Sequence, residues 1–173
     1  MAHHLDATRQ VLMWFHDTWL GDIARQKPWL FTTGLVTHFV GFCLLIGAML
    51  VVDLRLLGFF KEIPIRATYR LLPVAIVGFL LNLATGFMFF CFDPVNYWEN
   101  PAFRVKLALL LVAGLNALWF LIVEQRRSAA EPDDAQAGLA AKLSAGGSLL
   151  IWFTVILFGR LIVAFQGSSD LFK

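Results

Sequence analysis

Charge is scarce in this chain: Asp, Glu, Lys and Arg make up 15% of its residues, against 59% hydrophobic. That balance lies well outside the range of soluble domains. A formal net charge of +2 supplies no basic surface, which excludes a nucleic-acid partner. Cysteine is nearly absent, with Cys43 inside an apolar run and Cys91 at the edge of another. Their depths differ too much for a disulfide. Cys43 also falls five residues after His38, which rotates it off the histidine's face of a helix. Both read as small apolar fillers. Catalytic signatures are missing as well: there is no glycine-rich phosphate loop, no histidine pair at i and i+4, no Cys-x-x-Cys and no serine beside a base. An enzyme is disfavoured, and no internal repeat or low-complexity tract stands out.

What the sequence does have is long apolar runs. A hydrocarbon layer of about 30 Å takes about 20 residues of helix. Four runs reach that length: 30–52, 71–92, 103–123 with a polar lead-in, and 143–165. They are apolar all round rather than striped, so hydrocarbon and not water is their solvent. The expected fold is an all-α membrane protein, with residues 29–173 forming an up-down bundle of four transmembrane helices. Residues 1–28 precede it and lack the short apolar core and cleavage site of a removable signal. Within them 5–24 reads as one amphipathic helix, with Leu12, Phe15, Trp19 and Ile23 at three- and four-residue spacing. Such a helix lies in the headgroup plane.

The connections follow ordinary rules. Pro28 breaks the chain before the first span, and Pro73 falls where loss of an amide donor costs least. Asn100-Pro101 reads as a helix start, with an acceptor at the cap and proline in the first turn. Pro132, Asp133 and Asp134 suit the opening of the last helix. Asp53 and Arg55 read as an ion pair fixing the end of the first span. Lys and Arg near the span ends number seven on the side of the first and third loops and six on the other. That bias places both termini outside the cytoplasm, periplasmic in a bacterial inner membrane.

The polar residues inside the runs carry the functional reading. His38, the one imidazole in such a run, lies roughly 12 Å deep at 1.5 Å per residue, and Arg160 roughly 8 Å from the end of the fourth. Lys106 stands near the start of the third. An up-down arrangement puts all three in one leaflet. On helical wheels Gly34, His38, Gly41, Leu45 and Ala48 share a stripe, as do Gly78, Asn82 and Gly86 with Thr85 adjacent, and Lys106, Leu110, Ala113 and Ala117. Small residues let helices approach, and Asn82, Thr85 and Asn116 are expected to bond across the interfaces. Lys106 and Arg160 suit snorkelling.

His38 needs a partner, since water does not solvate it at that depth. Three readings stay open. The first is a structural hydrogen bond to a neighbouring helix. The second is cofactor or metal ligation: glycines a turn to either side leave a groove for a flat macrocycle, and neutral imidazole ligates haem iron. In that reading His16 or Met88 supplies the second ligand to haem b, and Arg160 and Lys106 meet the propionates. The third is a proton or metal-ion path, for which Asn82, Thr85 and Asn116 are sparse stepping points.

The stretch His38-Phe-Val-Gly-Phe-Cys-Leu-Leu-Ile-Gly, followed by Val-Val-Asp53-Leu-Arg55-Leu-Leu-Gly58, resembles a family of small bacterial four-helix membrane proteins of unknown function. The likeness continues through Thr85-Gly86, Asn100-Pro101-Ala-Phe103-Arg104-Val-Lys106, Gly114-Leu-Asn116 and Gly159-Arg160, and so covers nearly the whole chain. More loosely, the architecture is similar to the membrane domain of copper-resistance D proteins. The family commonly carries a second histidine on its third helix, shortly after an asparagine such as Asn116; here Leu121 holds that place. The resemblance implies the fold and assigns no activity. The leading expectation is a small non-catalytic membrane subunit or accessory protein of a larger bacterial complex. Its partners would be the lipid bilayer and other membrane subunits, or further copies of itself. A haem b electron carrier through His38 and an ion transporter follow as alternatives.

Overall fold

The computed structural model describes residues 2–128 and 137–171, and side chains within 7–123 and 137–165. These residues are helical, with no strand among them. Eight α-helices follow one another: α1 (Ala2–His16), α2 (Trp19–Gln26), α3 (Pro28–Leu57), α4 (Ile65–Thr68), α5 (Leu72–Phe92), α6 (Pro94–Glu99), α7 (Pro101–Ser128) and α8 (Leu139–Leu171). A short 3₁₀ turn, Tyr69–Leu71, joins α4 to α5. Four stretches are long and apolar enough to cross a membrane: Pro28–Leu57, Ile65–Phe92, Pro101–Val123 and Leu139–Phe165. The chain is thus a multi-pass, all-helical membrane protein.

The helix ends are written in local chemistry. Pro28 and Pro101 occupy first-turn positions where a missing N–H is harmless. Asn100 caps α7, its Oδ1 accepting from the backbone N–H of Ala102 at 3.0 Å and of Phe103 at 3.4 Å. Its Nδ2 donates to the Ile162 carbonyl at 3.0 Å, so one buried side chain both starts α7 and ties it to α8. Gly58 ends α3 at φ 102°, a left-handed conformation that L side chains rarely adopt. There the Gly58 N–H reaches Arg55 O and the Phe59 N–H reaches Leu54 O, the paired bonds of a Schellman stop. The proposed opening of the last helix at 132–134 lies outside the described residues.

The amphipathic stretch expected as one helix is two. Thr18 takes an extended conformation (ψ 151°) and caps α2, its Oγ1 accepting from Gly21 N–H at 3.4 Å. Arg25 then stitches the corner. Its Nη2 donates to the last carbonyl of α1, His16 O, at 2.7 Å and to Asp22 at 2.6 Å, and its Nη1 to Cys91 O at 3.3 Å. The corner is tight because Gly21 is glycine: a Cβ there would meet His16 O at 2.5 Å and Cys91 O at 2.8 Å. Phe15 docks α1 edge-on against Phe87 and Phe90 of α5. Leu12 is buried and Trp19 exposed, so the break at Thr18 separates two residues expected on one apolar face.

Among the long helices α3 packs on α5, α7 on α8, and α3 also on α8. The α3–α5 crossing is nearly backbone to backbone: a Cβ on Gly78 would stand 2.6 Å from both Gly41 O and Leu45 N. Three apolar clusters fill the interior, around Val52 and Leu56, around Leu45 and Ala48, and around Met88 and Phe89. The ion pair expected between Asp53 and Arg55 does not form. Arg55 turns outward and donates to the carbonyls of Ile63 and Lys61, clamping the loop after α3. A guanidinium gains more from unsatisfied loop carbonyls at the water boundary than from following the carboxylate inward.

Candidate functional site

Polar side chains inside the long helices gather at two levels. The first surrounds His38, half-buried on α3. Its Nδ1 lies 2.7 Å from Thr85 Oγ1 on α5. The Thr85 hydroxyl donates its single proton back to Leu81 O at 2.6 Å, as threonine commonly does within a helix. Its oxygen therefore accepts from the His38 Nδ1–H, which assigns the tautomer and leaves Nε2 as the basic nitrogen. The ring lies against Gly86, where a Cβ would stand 3.7 Å from Cε1, and tilts onto Phe89 with centroids 5.6 Å apart. Lys106 of α7 is close enough to act electrostatically on the imidazole, and its Nζ covers Gly159 of α8 at 3.7 Å from a would-be Cβ. Side chains of α3 and α5 thus meet at this level, and the α7 lysine lies over a glycine of α8.

The other candidates for a cofactor fall differently. Arg160, beside that glycine, is exposed. His16 is half-buried at the end of α1, with Nδ1 2.8 Å from Asp17 Oδ1. Met88 is buried, its methyl pressed against Gly34 within the cluster of Ala24 and Phe89. The groove expected beside His38 is filled. Phe89 joins Met88 at Gly34, 3.3 Å from a would-be Cβ. At Gly41 the side chains of Leu81 and Asn82 stand 2.8 Å from one, with Gly78 O at 2.9 Å. The two glycines therefore serve the approach of α5. Among the described residues no three of His, Cys, Asp and Glu stand together as metal ligands.

The second level lies toward the loop that follows α3. Asp53 is 3% exposed, and Ser148 of α8, also 3% exposed, is the polar side chain facing it. Its Oδ2 has no hydrogen-bond partner among the described residues. A turn away on α8, Ser144 Oγ donates to Asn116 Oδ1 at 3.0 Å while Asn116 Nδ2 donates to Ser144 O at 3.2 Å. Asn116 thus bonds across an interface as expected. Asn82 does not: its Nδ2 donates to Gly78 O of its own helix at 3.0 Å. With the helices this close at Gly41 and Gly78, the amide folds along α5 instead of reaching across.

Sequence reasoning missed the Asp53 level because Asp53 sits near a helix end beside an arginine, which reads as a solvated pair. The signal that could have found it is the spacing of Ser144 and Ser148, one turn apart on a helix otherwise lined there with alanine and glycine. Outside the spans, Asp93 caps the short α6, accepting from Asn96 N–H at 3.4 Å. Burial pushes the Tyr97 phenol above its ordinary value, and the Asp93 charge adds to that. Compared with known proteins, the chain matches no family model, no curated protein and no solved structure.

Proposed function

We propose that this chain is a small non-catalytic subunit or accessory protein of a larger bacterial membrane complex. In this reading its four long helices form an up-down bundle in the inner membrane, with both termini periplasmic. The broken amphipathic segment α1–α2 rests at the interface. The likeness of the Asp53–Gly58 segment to small bacterial four-helix membrane proteins belongs to the same proposal.

The observation that carries it is the outer flank of α7. Only 6% of its membrane-crossing window is buried within the chain, against 28% for the stretch that includes α5. Leu107, Leu111, Leu115 and Leu118 recur there at helical spacing, all exposed. Gly114, among them, has nothing within 4 Å of a would-be Cβ. A glycine with open space on an apolar flank is where a second helix approaches closely.

The test is extraction into polymer-bounded native nanodiscs, with the mass of the particle measured. The proposal expects an assembly larger than one 19.4 kDa chain. It also expects Gly114→Phe to release the chain as a folded monomer of unchanged helix content. A wild-type particle holding a single chain and lipid would refute it, and copies of this chain alone would identify the complex as a homo-oligomer.

A further inference from the structure

Asp53 is the buried group that neither the packing nor the proposed function explains. Its side chain is enclosed by α3, α8 and the apolar cluster of Val52, Leu56, Ile65, Ala141 and Ala145. A carboxylate in such a place stays charged only with compensation, from an ion pair or from a full set of hydrogen bonds. Here Ser148 faces the carboxyl from α8, and Oδ2 has no hydrogen-bond partner among the described residues. The charged and titratable groups on the surrounding elements are Arg55 on α3, Arg66 on α4, Tyr69 and Arg70 in the 3₁₀ turn, Lys142 on α8 and, beyond Phe120 on α7, Glu124, Arg126 and Arg127; α5 brings none at this level. Arg55 is committed to the loop carbonyls of Ile63 and Lys61.

We propose that Asp53, facing Ser148, is a proton-binding site that exchanges with the side of the 58–71 connection. One proton at Oδ2 supplies what the surroundings withhold. A metal ion does not suit the site, because sodium and divalent ions alike are held by several oxygens, and here one carboxyl and one hydroxyl face each other. Ser144 is already committed to Asn116. The direction of exchange follows from the layout. Asp53 stands one turn before the end of α3, while toward His38 the interior is sealed by Leu45, Ala48 and Ala75, with Met49, Leu71 and Trp152 packed on them. The two polar levels therefore share no wet route, and the site loads and unloads through one face. This inference is independent of the subunit reading, since a lone chain suffices for it.

The experiment uses the full chain in phosphatidylcholine nanodiscs and reads the thermal unfolding midpoint. Sodium chloride replaces choline chloride at constant ionic strength and pH, and a second series varies pH in choline alone. A ligand bound only by the folded state raises the midpoint as its concentration rises. A midpoint that rises as pH falls, more in the wild type than in D53N, with no sodium effect, is the expected result. D53N, close in shape and without the titrating carboxyl, is expected to lose that part of the pH response. In Ser148→Ala the carboxylate loses the hydroxyl that faces it, so the proton is expected to bind about tenfold more tightly and the response to move to higher pH. A wild type with no such rise, a rise with sodium in its place, or a D53N protein that responds as the wild type does overturns the proposal. Should D53N fail to fold, an unshifted response in Ser148→Ala overturns it.

Discussion

His38 and Asp53 lie on the same helix roughly four turns apart, and their surroundings differ in kind. Around His38 each donor is matched: Nδ1–H to Thr85, and the Thr85 hydroxyl to Leu81 O. Phe89 lies beside the ring, which is only half-buried. Around Asp53 the enclosure is more complete and the matching less so, with one carboxylate oxygen left alone. The group that looked most anomalous in the sequence is the better satisfied. The comparison teaches that the cost of a polar residue in an apolar run depends on what faces it and not on its depth. An imidazole opposite a threonine is an ordinary interhelical bond. A carboxyl opposite a lone serine is an unfinished site.

The strongest way to break this comparison is to part the helices that make the first level. In Gly78→Val the new side chain meets Gly41 O and Leu45 N, which are backbone atoms that cannot swing aside. The expected cost is about 3 kcal/mol or more, read as lost resistance to denaturing detergent. His38 should lose Thr85 with it, whereas Asp53, held between α3 and α8, should keep Ser148. Next in size is Thr85→Val, which keeps the shape and strands the imidazole N–H. It should cost about 1–2 kcal/mol, and a result within error of wild type would mean the bond is not formed in the membrane. Asp53→Asn belongs lower still. Replacing a partly compensated charge by an amide should leave stability at neutral pH within about 1 kcal/mol of wild type, or raise it. A large loss there would show that Asp53 is fully paired and that the two levels are alike.

Much of this architecture was legible beforehand, and the limits are instructive. The four long helices followed from apolar length, and the cap at Asn100 from side-chain chemistry that acts within a few residues; the Gly58 stop, which carries α3 past the expected end at 52, was not foreseen. The stripe of Gly34, Gly41, Leu45 and Ala48 is buried as the wheel implied, since helical phase is fixed by spacing alone. Lys106 was expected at the level of His38 and lies near it. The stripe on α7 drifts, with Ala113 buried but Ala117 exposed, because that helix bonds α8 through Asn116 while Phe120 packs edge-on against Tyr69. What spacing did not disclose was which neighbour fills a glycine's space. Met88 and Leu81 occupy the slots read as a groove, a matter of tertiary fit invisible in one helix. The break at Thr18 was missed for a related reason: apolar periodicity runs through it, and the competing cap depends on Arg25 reaching the carbonyls of His16 and Cys91.

The smallest expected effect concerns pH and separates the two levels by their outer ends. Tyr97 lies on α6, at the Met88 end of the molecule and far from Asp53 along α3, and packs edge-on against Phe103 of α7 with ring centroids 5.3 Å apart. Burial first, and the Asp93 charge second, raise its phenol above the ordinary value. The folded chain therefore holds that proton more tightly than the unfolded chain does. The sign follows from linkage: the contribution is present in full below the unfolded value of about 10 and is lost as pH rises through the raised folded value. Alkaline titration should thus loosen this end while leaving the Asn116–Ser144 bond near Asp53 in place. Tyr97→Phe should abolish the alkaline loss without altering any response traced to Asp53. Amide hydrogen exchange resolved along α7, followed from neutral to alkaline pH, would show it. Exposure should grow first near Phe103 and only later near Asn116, and uniform loosening along α7 would mean that the two ends unfold as one unit.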